Sequence, residues 1–460
     1  MTDEDRLVGI FHAYDVRGVV PDELDAQIAW AIGYGFATFA ASGAGASTKV
    51  LVGRDMRTSG EELSEAVLAG AFAGGATVVD LGLCSTDLCY FASGYLDAAA
   101  AMLTASHNPA RYNGVKFCLP GARPVGEESG LLTVRQFALD ALPSAPLHPK
   151  APAGVEQVRL LDTFAEHVHS FVELDKLAPL SVIADTANGM GGLVAPRVFE
   201  GLPFHLEVLY GELDGNFPHH PADPIQPENL RDLQALILER HADVGLAFDG
   251  DADRVFLVDE LGSPLSGSTT TAIVAKAILD KHPGATILYN VICSKTVREV
   301  IAESGGIGIR TRVGHSFIKS VMAETGALFG GEHSGHYYFD DNYRADSGII
   351  AALVVLETLS KAGGTLSALR RPFERYADSG EINSTVQNAA GIIENLRTRA
   401  QAAGAEIDEL DGLTADYGSW WFNLRSSNTE PLLRLNVEAP DEATLRARTD
   451  EVLAVIRAGS

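Results

Sequence analysis

Cysteine is scarce in this chain. Cys84, Cys89, Cys118 and Cys293 are the only four in 460 residues, and no two of them form a Cys-x-x-Cys pair. A disulfide framework is therefore excluded. Positive charge is also in deficit: 35 Lys and Arg face 61 Asp and Glu, giving a formal charge of −26. So acidic a surface repels DNA, RNA and anionic lipid, so neither nucleic acid nor membrane is expected as a partner. An anionic ligand would need a locally positive cleft. Residues 1–5 are acidic and lack the basic and apolar segments of a signal peptide. A long uncharged run, residues 28–48, is mostly Ala, Gly, Ser and Thr. With so few large aliphatics it is expected to be a closely packed helix and not a membrane span. The expected location is cytoplasmic and reducing.

What is present is ordinary for a globular protein: 46% hydrophobic and 21% charged residues, which excludes disorder as the main state. One pattern recurs three times. An apolar strand at 50–52 leads into the turn Gly53-Arg54-Asp55, a helix over 61–73 and a strand over 76–81. A second copy has strand 182–184, helix 193–199 and strand 205–210; a third has strand 286–289, helix 295–303 and strand 307–313. This spacing is that of βαβ units. Each copy is followed by a further strand, at 100–103, 244–248 and 327–329, that ends in a polar loop. In α/β sheets ligands collect beyond the carboxyl ends of strands. Four prolines between 143 and 152 suit a linker, and further breaks fall near 262–264 and 363–372. Toward the C-terminus, Leu433, Leu435 and Val437 alternate with Arg434, Asn436 and Glu438, the period of a half-buried strand. An amphipathic helix over 442–456 follows, so the tail is expected to be a separate α+β domain.

The loops carry the chemistry. Asp249, Asp251 and Asp253 place three hard oxygen ligands at alternate positions. Like charges so close cost energy without a cation, which points to Mg²⁺ or Ca²⁺. An EF-hand fails because Arg254 stands where the loop needs Gly, and residues 255–258 look like a strand. Ser106, in Thr104-Ala105-Ser106-His107-Asn108-Pro109, follows an apolar strand and is either a nucleophile or a turn-capping serine. Taken singly, His107, Lys116 and Arg17 (in Tyr14-Asp15-Val16-Arg17-Gly18) look like surface residues. Gly331-Glu332-His333-Ser334-Gly335-His336 is either a grip for vicinal sugar hydroxyls with a proton carrier or a plain polar turn. Arg425-Ser426-Ser427-Asn428-Thr429-Glu430, between two strands, is either a phosphate cradle or a hairpin turn. The paired histidines His219 and His220 are assigned to a structural loop, since zinc would need more ligands.

These loops, in this order, resemble the α-D-phosphohexomutase superfamily, most closely its phosphomannomutase/phosphoglucomutase group. Residues 104–109 are similar to that family's phosphoserine loop, 249–254 to its metal loop, 332–336 to its sugar-selecting loop and 425–431 to its phosphate-binding loop. The resemblance implies an α/β protein of four domains around a central cleft. Three would be repeated βα sandwich-like domains with mixed sheets (1–148, 149–258, 259–368), and the fourth (369–460) C-terminal and α+β. It implies interconversion of hexose 1-phosphate and hexose 6-phosphate, of mannose or glucose, through phosphoserine 106 and a hexose 1,6-bisphosphate that is both intermediate and activator. Mg²⁺ would be held by Asp249, Asp251, Asp253 and the phosphate on Ser106. Arg17, Lys116 and Arg254 would neutralise charge, and His107, Lys116 and His336 are the general acid/base candidates. Tyr14, Lys295, His315, Glu332, Ser334, Arg425, Ser427, Asn428 and Thr429 would bind substrate. His333 and Asn428 differ from the Gln and Gly usual in phosphoglucosamine mutases. That activity and a Mg²⁺-dependent sugar phosphatase are the alternatives; a monomer or homodimer is expected.

Overall fold

The computed structural model describes residues 2–42, 46–426 and 432–458, except for the side chain of His315. The chain forms two compact units, Met1–Leu265 with Ser334–Leu369 and Ser266–His333 with Arg370–Ser460.

The first unit holds two mixed sheets. In one, the strands run Val16–Val19, Tyr112–Leu119, Ala99–Leu103, Lys49–Arg54, Thr77–Leu83 and Glu156–Gln157. The last four are mutually parallel, while Tyr112–Leu119 is antiparallel to both of its neighbours. In the other, Val255–Asp259 pairs antiparallel with Val244–Phe248, and Ser181–Asp185 and His205–Leu209 continue in parallel. Parallel strands covered by helices read as unbroken apolar runs, and Ala99–Leu103 and Val244–Phe248 are buried throughout.

The uncharged run supplies helix Ala26–Ala40, and its small residues explain the packing. A methyl group on Gly33 would stand 2.3 Å from Val67 O, and one on Gly70 only 1.9 Å from Trp30 O. Helices Ala26–Ala40 and Gly60–Ala73 approach this closely only because glycine faces backbone on both sides. No single helix among the described residues is long and apolar enough to cross a membrane.

In the second unit, strands Ile307–Thr311, Thr286–Asn290 and Phe329–Gly331 are parallel. The C-terminal sheet is wholly antiparallel, in the order Ala377–Thr385, Leu432–Ala439, Trp421–Ser426, Leu413–Asp416, Glu406–Asp408. Helices Ala389–Ala402 and Glu442–Ala458 supply Leu396, Leu445, Val452 and Ile456 to its core.

Three expectations shift. The strand expected at 327–329 is Phe329–Gly331, and the one expected at 307–313 stops at Thr311, since Gly314 (φ 132°) opens helix His315–Thr325. Strand Leu432–Ala439 is not half-exposed to its end. Asn436 and Glu438 are buried: Asn436 donates to Gly380 O at 3.2 Å, and Glu438 accepts the Trp421 indole N–H at 2.7 Å and the Lys295 amide at 3.0 Å. Residues 334–369 belong to the first compact unit, where Gly348 lies against the Arg254 backbone with room for no Cβ.

Candidate active site

Ser106 lies just past the end of strand Ala99–Leu103, and its backbone is left-handed (φ 48°), a conformation that strains any side chain but glycine. Arg57 holds it there. This guanidinium is 1% exposed and donates to the carbonyls of Ser106 (2.8 Å), Asn108 (2.7 Å), Pro109 (2.9 Å) and Tyr112 (2.8 Å). Its Nε also donates to Asp55 at 3.2 Å. The sequence reading missed Arg57. The available signal was its place in a polar turn after a parallel strand, the same position that singled out the other loops.

The second loop packs onto the first. A Cβ on Gly250 would sit 2.5 Å from Ser106 O, so only glycine lets Asp249 and Asp251 approach. Ser106 Oγ donates to Asp249 Oδ2 at 2.7 Å and accepts from Arg254 Nη2 at 3.0 Å. Lys116 Nζ donates at 2.7 Å to Asp251 Oδ2 and, equally, to Asp253 Oδ2. All three Asp residues and Lys116 are buried, which corrects the surface reading of Lys116. Three carboxylates at this burial repel one another, and the ionised state is uneven. Burial, then the charges of Asp251 and Asp253, push Asp249 well above the usual carboxylate range. Burial acts in the same direction on Asp251, but Lys116 outweighs it and holds that carboxyl below the range. Lys116 is raised in turn, because its two carboxylates outweigh its desolvation. The Asp249, Asp251 and Asp253 oxygens lie within 4.8 Å of one another, a set that could hold a metal ion. Asp251 Oδ1 and Asp253 Oδ1 are buried without a hydrogen-bond partner among the described residues, and such atoms are costly unless a ligand satisfies them.

Other expected residues join this cluster. Arg254 Nη2 stands 2.6 Å from His107 Nδ1. Burial first, then Arg254 and Arg17, keep the His107 imidazole well below its usual range. Arg17 bonds Asn108 Oδ1 at 2.6 Å and Asp15 at 2.5 Å. His336 Nδ1 lies 3.0 Å from Ser334 Oγ, and its Nε2 lies 3.6 Å from Asp253 Oδ1 and 3.9 Å from Asp346. Tyr14 is half-buried just before strand Val16–Val19. His219 and His220 are structural, as expected. His219 stacks on Tyr210 at 3.8 Å, and His220 Nε2 lies 3.1 Å from Asp185.

The remaining residues belong to the second unit. Glu332, buried after strand Phe329–Gly331, accepts from Asn290 Nδ2 at 3.2 Å and Gly314 N at 3.1 Å. Lys295 donates to Asp416 at 2.8 Å and to Gly418 O at 2.7 Å, so its charge is already matched. Arg425 pairs with Glu381 at 2.5 Å, and its Nη1 has no hydrogen-bond partner among the described residues. His315 opens helix His315–Thr325. Its side chain, with Ser427, Asn428 and Thr429, lies outside the described residues.

With this geometry established, four family profiles match in succession. These are phosphoglucomutase/phosphomannomutase alpha/beta/alpha domain I over residues 8–134, domain II over 161–262, domain III over 266–376 and the C-terminal domain over 381–455. The chain belongs to the phosphoglucomutase/phosphomannomutase family. It is an enzyme, a phosphotransferase of the mutase type. Among its relatives, the phosphohexose mutases of Xanthomonas campestris pv. campestris are 39% identical over 97% of this chain and 99% of their own. A Pseudomonas putida phosphomannomutase/phosphoglucomutase is 38% identical over 96% of this chain and 94% of its own. A crystal structure of a phosphoglucomutase/phosphomannomutase family protein from Burkholderia thailandensis superposes with a TM-score of 0.87 at 34% identity, covering 98% of this chain and 97% of that one.

Proposed function

We propose that this mutase moves phosphate between O1 and O6 of mannose and glucose through a phosphorylated Ser106. The observation that carries the proposal is the buried Ser106 Oγ held between Asp249 and Arg254. In the first step the Oγ–P bond of phosphoserine 106 breaks as a P–O bond forms to the free hydroxyl of the sugar phosphate. The hydroxyl proton passes to a general base. The resulting hexose 1,6-bisphosphate turns over and returns its other phosphate to Ser106, with the proton restored to the sugar oxygen. The same bisphosphate would serve as activator.

Arg254 and Arg17 supply positive charge to the transferring group. Lys116, its pKa raised, stays protonated at neutral pH and acts as a cation and not as a base. His107 Nδ1 faces the Arg254 guanidinium, which leaves it poorly placed to take a proton. His336, flanked by Asp253 and Asp346, suits the general acid/base role, since carboxylates stabilise the imidazolium. Asp249, Asp251 and Asp253 fit Mg²⁺ by their hard oxygen donors and by the orphaned Oδ1 atoms of Asp251 and Asp253. They would hold it together with the Ser106 phosphate. When bound, the ion supplies charge neutralisation at the phosphoryl group. Glu332 and Ser334 are assigned to the sugar hydroxyls, and Arg425, Ser427, Asn428, Thr429, Lys295, His315 and Tyr14 to phosphate and substrate. The domain limits 1–148, 149–258, 259–368 and 369–460, the cytoplasmic location and a monomer or homodimer belong to the same reading.

A phosphorus NMR time course tests it, with Mg²⁺, a trace of glucose 1,6-bisphosphate, and mannose, glucose and glucosamine 1-phosphates in competition. The expected result is 6-phosphates of mannose and glucose. Preference for the glucosamine compound would overturn the sugar assignment. Release of inorganic phosphate alone would overturn the mutase step itself.

A further inference from the structure

The three carboxylates do not orient themselves. Asp251 has one oxygen fully occupied: its Oδ2 takes the Lys116 ammonium at 2.7 Å and the Thr86 hydroxyl at 2.6 Å. Its Oδ1 is buried without a hydrogen-bond partner among the described residues. Thr86 is fully buried and grips the same residue twice, because its backbone N–H also donates to Asp251 O at 3.0 Å. That N–H is free to do so because Thr86 opens helix Thr86–Tyr95, where the first amides have no partner within the helix. The residues on either side of Thr86 are also fixed. Ser85 caps the helix through Leu88 N, and Asp87 accepts the Ser347 hydroxyl at 2.7 Å. Ser347 caps helix Gly348–Ala362, whose first residue lies against the Arg254 backbone.

We propose that Thr86 is a positioning residue for the cation site, holding Asp251 so that Oδ1 and not Oδ2 is offered to the ion. The proposal rests on the metal reading above. Thr86 touches neither the ion nor the substrate and acts only through Asp251. The hydroxyl fixes the carboxylate plane, which Lys116 alone, shared with Asp253, leaves free to turn. Partners of this kind that orient a metal ligand are worth about 10–100-fold in metal affinity.

The experiment is calorimetric titration of Mg²⁺ into the full chain, wild type beside Thr86→Val, Thr86→Ala, Thr86→Ser and Asp251→Asn. Thr86→Val and Thr86→Ala should weaken Mg²⁺ binding by about 10–100-fold, and Thr86→Ser, which keeps the hydroxyl, should stay within about threefold of wild type. If Thr86→Val does not fold, the Ala and Ser pair carries the same contrast. Wild-type affinity in Thr86→Ala alongside loss in Asp251→Asn overturns the role of Thr86 and leaves the metal site standing. Equal loss in Ala and Ser also overturns it, because the hydroxyl would then be irrelevant. Equal binding by wild type and Asp251→Asn removes the metal reading itself, and the proposal with it.

Discussion

The two units treat their charges differently. In the first, Asp249, Asp251, Asp253, Lys116 and Arg254 share one buried network, and two carboxylate oxygens end without a hydrogen bond. In the second, the cations are held in smaller ion pairs: Lys295 with Asp416, which also faces Arg298, and Arg425 with Glu381, which also faces Arg434. The first arrangement leaves a deficit that a ligand can fill, and it is held by buried groups. The second pairs its cations with acids but leaves Arg425 Nη1 without a hydrogen bond among the described residues, so a dianionic phosphate would compete with an acid to bind. Under the proposed function, bond-making falls to the first unit and recognition to the second.

Removing the reacting atom sharpens this contrast most. Ser106→Ala should lower isomerisation by about 10⁴- to 10⁶-fold while thermal unfolding stays close to wild type. Wild-type turnover in the NMR assay would sink the phosphoserine assignment. Next comes the group that holds the loop. Arg57→Met leaves the buried Asp55 without its charge partner and removes the guanidinium donor from four carbonyls, so denaturant unfolding should show a loss of about 3–5 kcal/mol. A loss within about 0.5 kcal/mol would mean that the loop holds its strain unaided.

In the second unit, Arg425→Ala should raise KM for hexose phosphate by roughly 10–100-fold with a smaller change in kcat. Glu381→Gln, which frees that guanidinium, should lower KM by a few-fold. A rise in KM with Glu381→Gln would break the idea of an exchangeable pair. The smallest effect is one of pH. Burial raises the Asp87 carboxyl from 3.8 to about 7. Between those values the native chain keeps a proton that the unfolded chain has released, so the stabilisation present at low pH is lost as pH rises through about 7. Relative to wild type, Asp87→Asn should therefore gain stability from about pH 4 to about pH 7, followed by urea unfolding. A constant difference would show that the carboxyl does not titrate in that window.

Much of the fold was legible because it follows local periodicity. Helix Lys295–Glu303 lies at the limits expected for it, and the strand pattern at 433–437 correctly marked the core of the last sheet. The errors arose where tertiary contacts override pattern. Glu438 looks like a solvent residue until Trp421 and Lys295 cover it. Lys116 looks like a surface lysine because nothing in its own strand announces the carboxylates more than 130 residues away. The contacts that make Arg57 and Thr86 matter, with the Ser106 loop and with Asp251, also lie far off in sequence.

The sequence by itself determined the inventory. It placed a serine, three alternate aspartates, a Glu-His-Ser-Gly-His loop and an Arg-Ser-Ser-Asn-Thr loop at the ends of strands, because turn chemistry and strand period are local properties. Only the tertiary structure decided their electrostatic state. Which carboxylate keeps its proton, which lysine stays charged and which oxygens are left without a partner depend on burial and on charges from remote segments. Both reach through space and leave no trace in neighbouring residues.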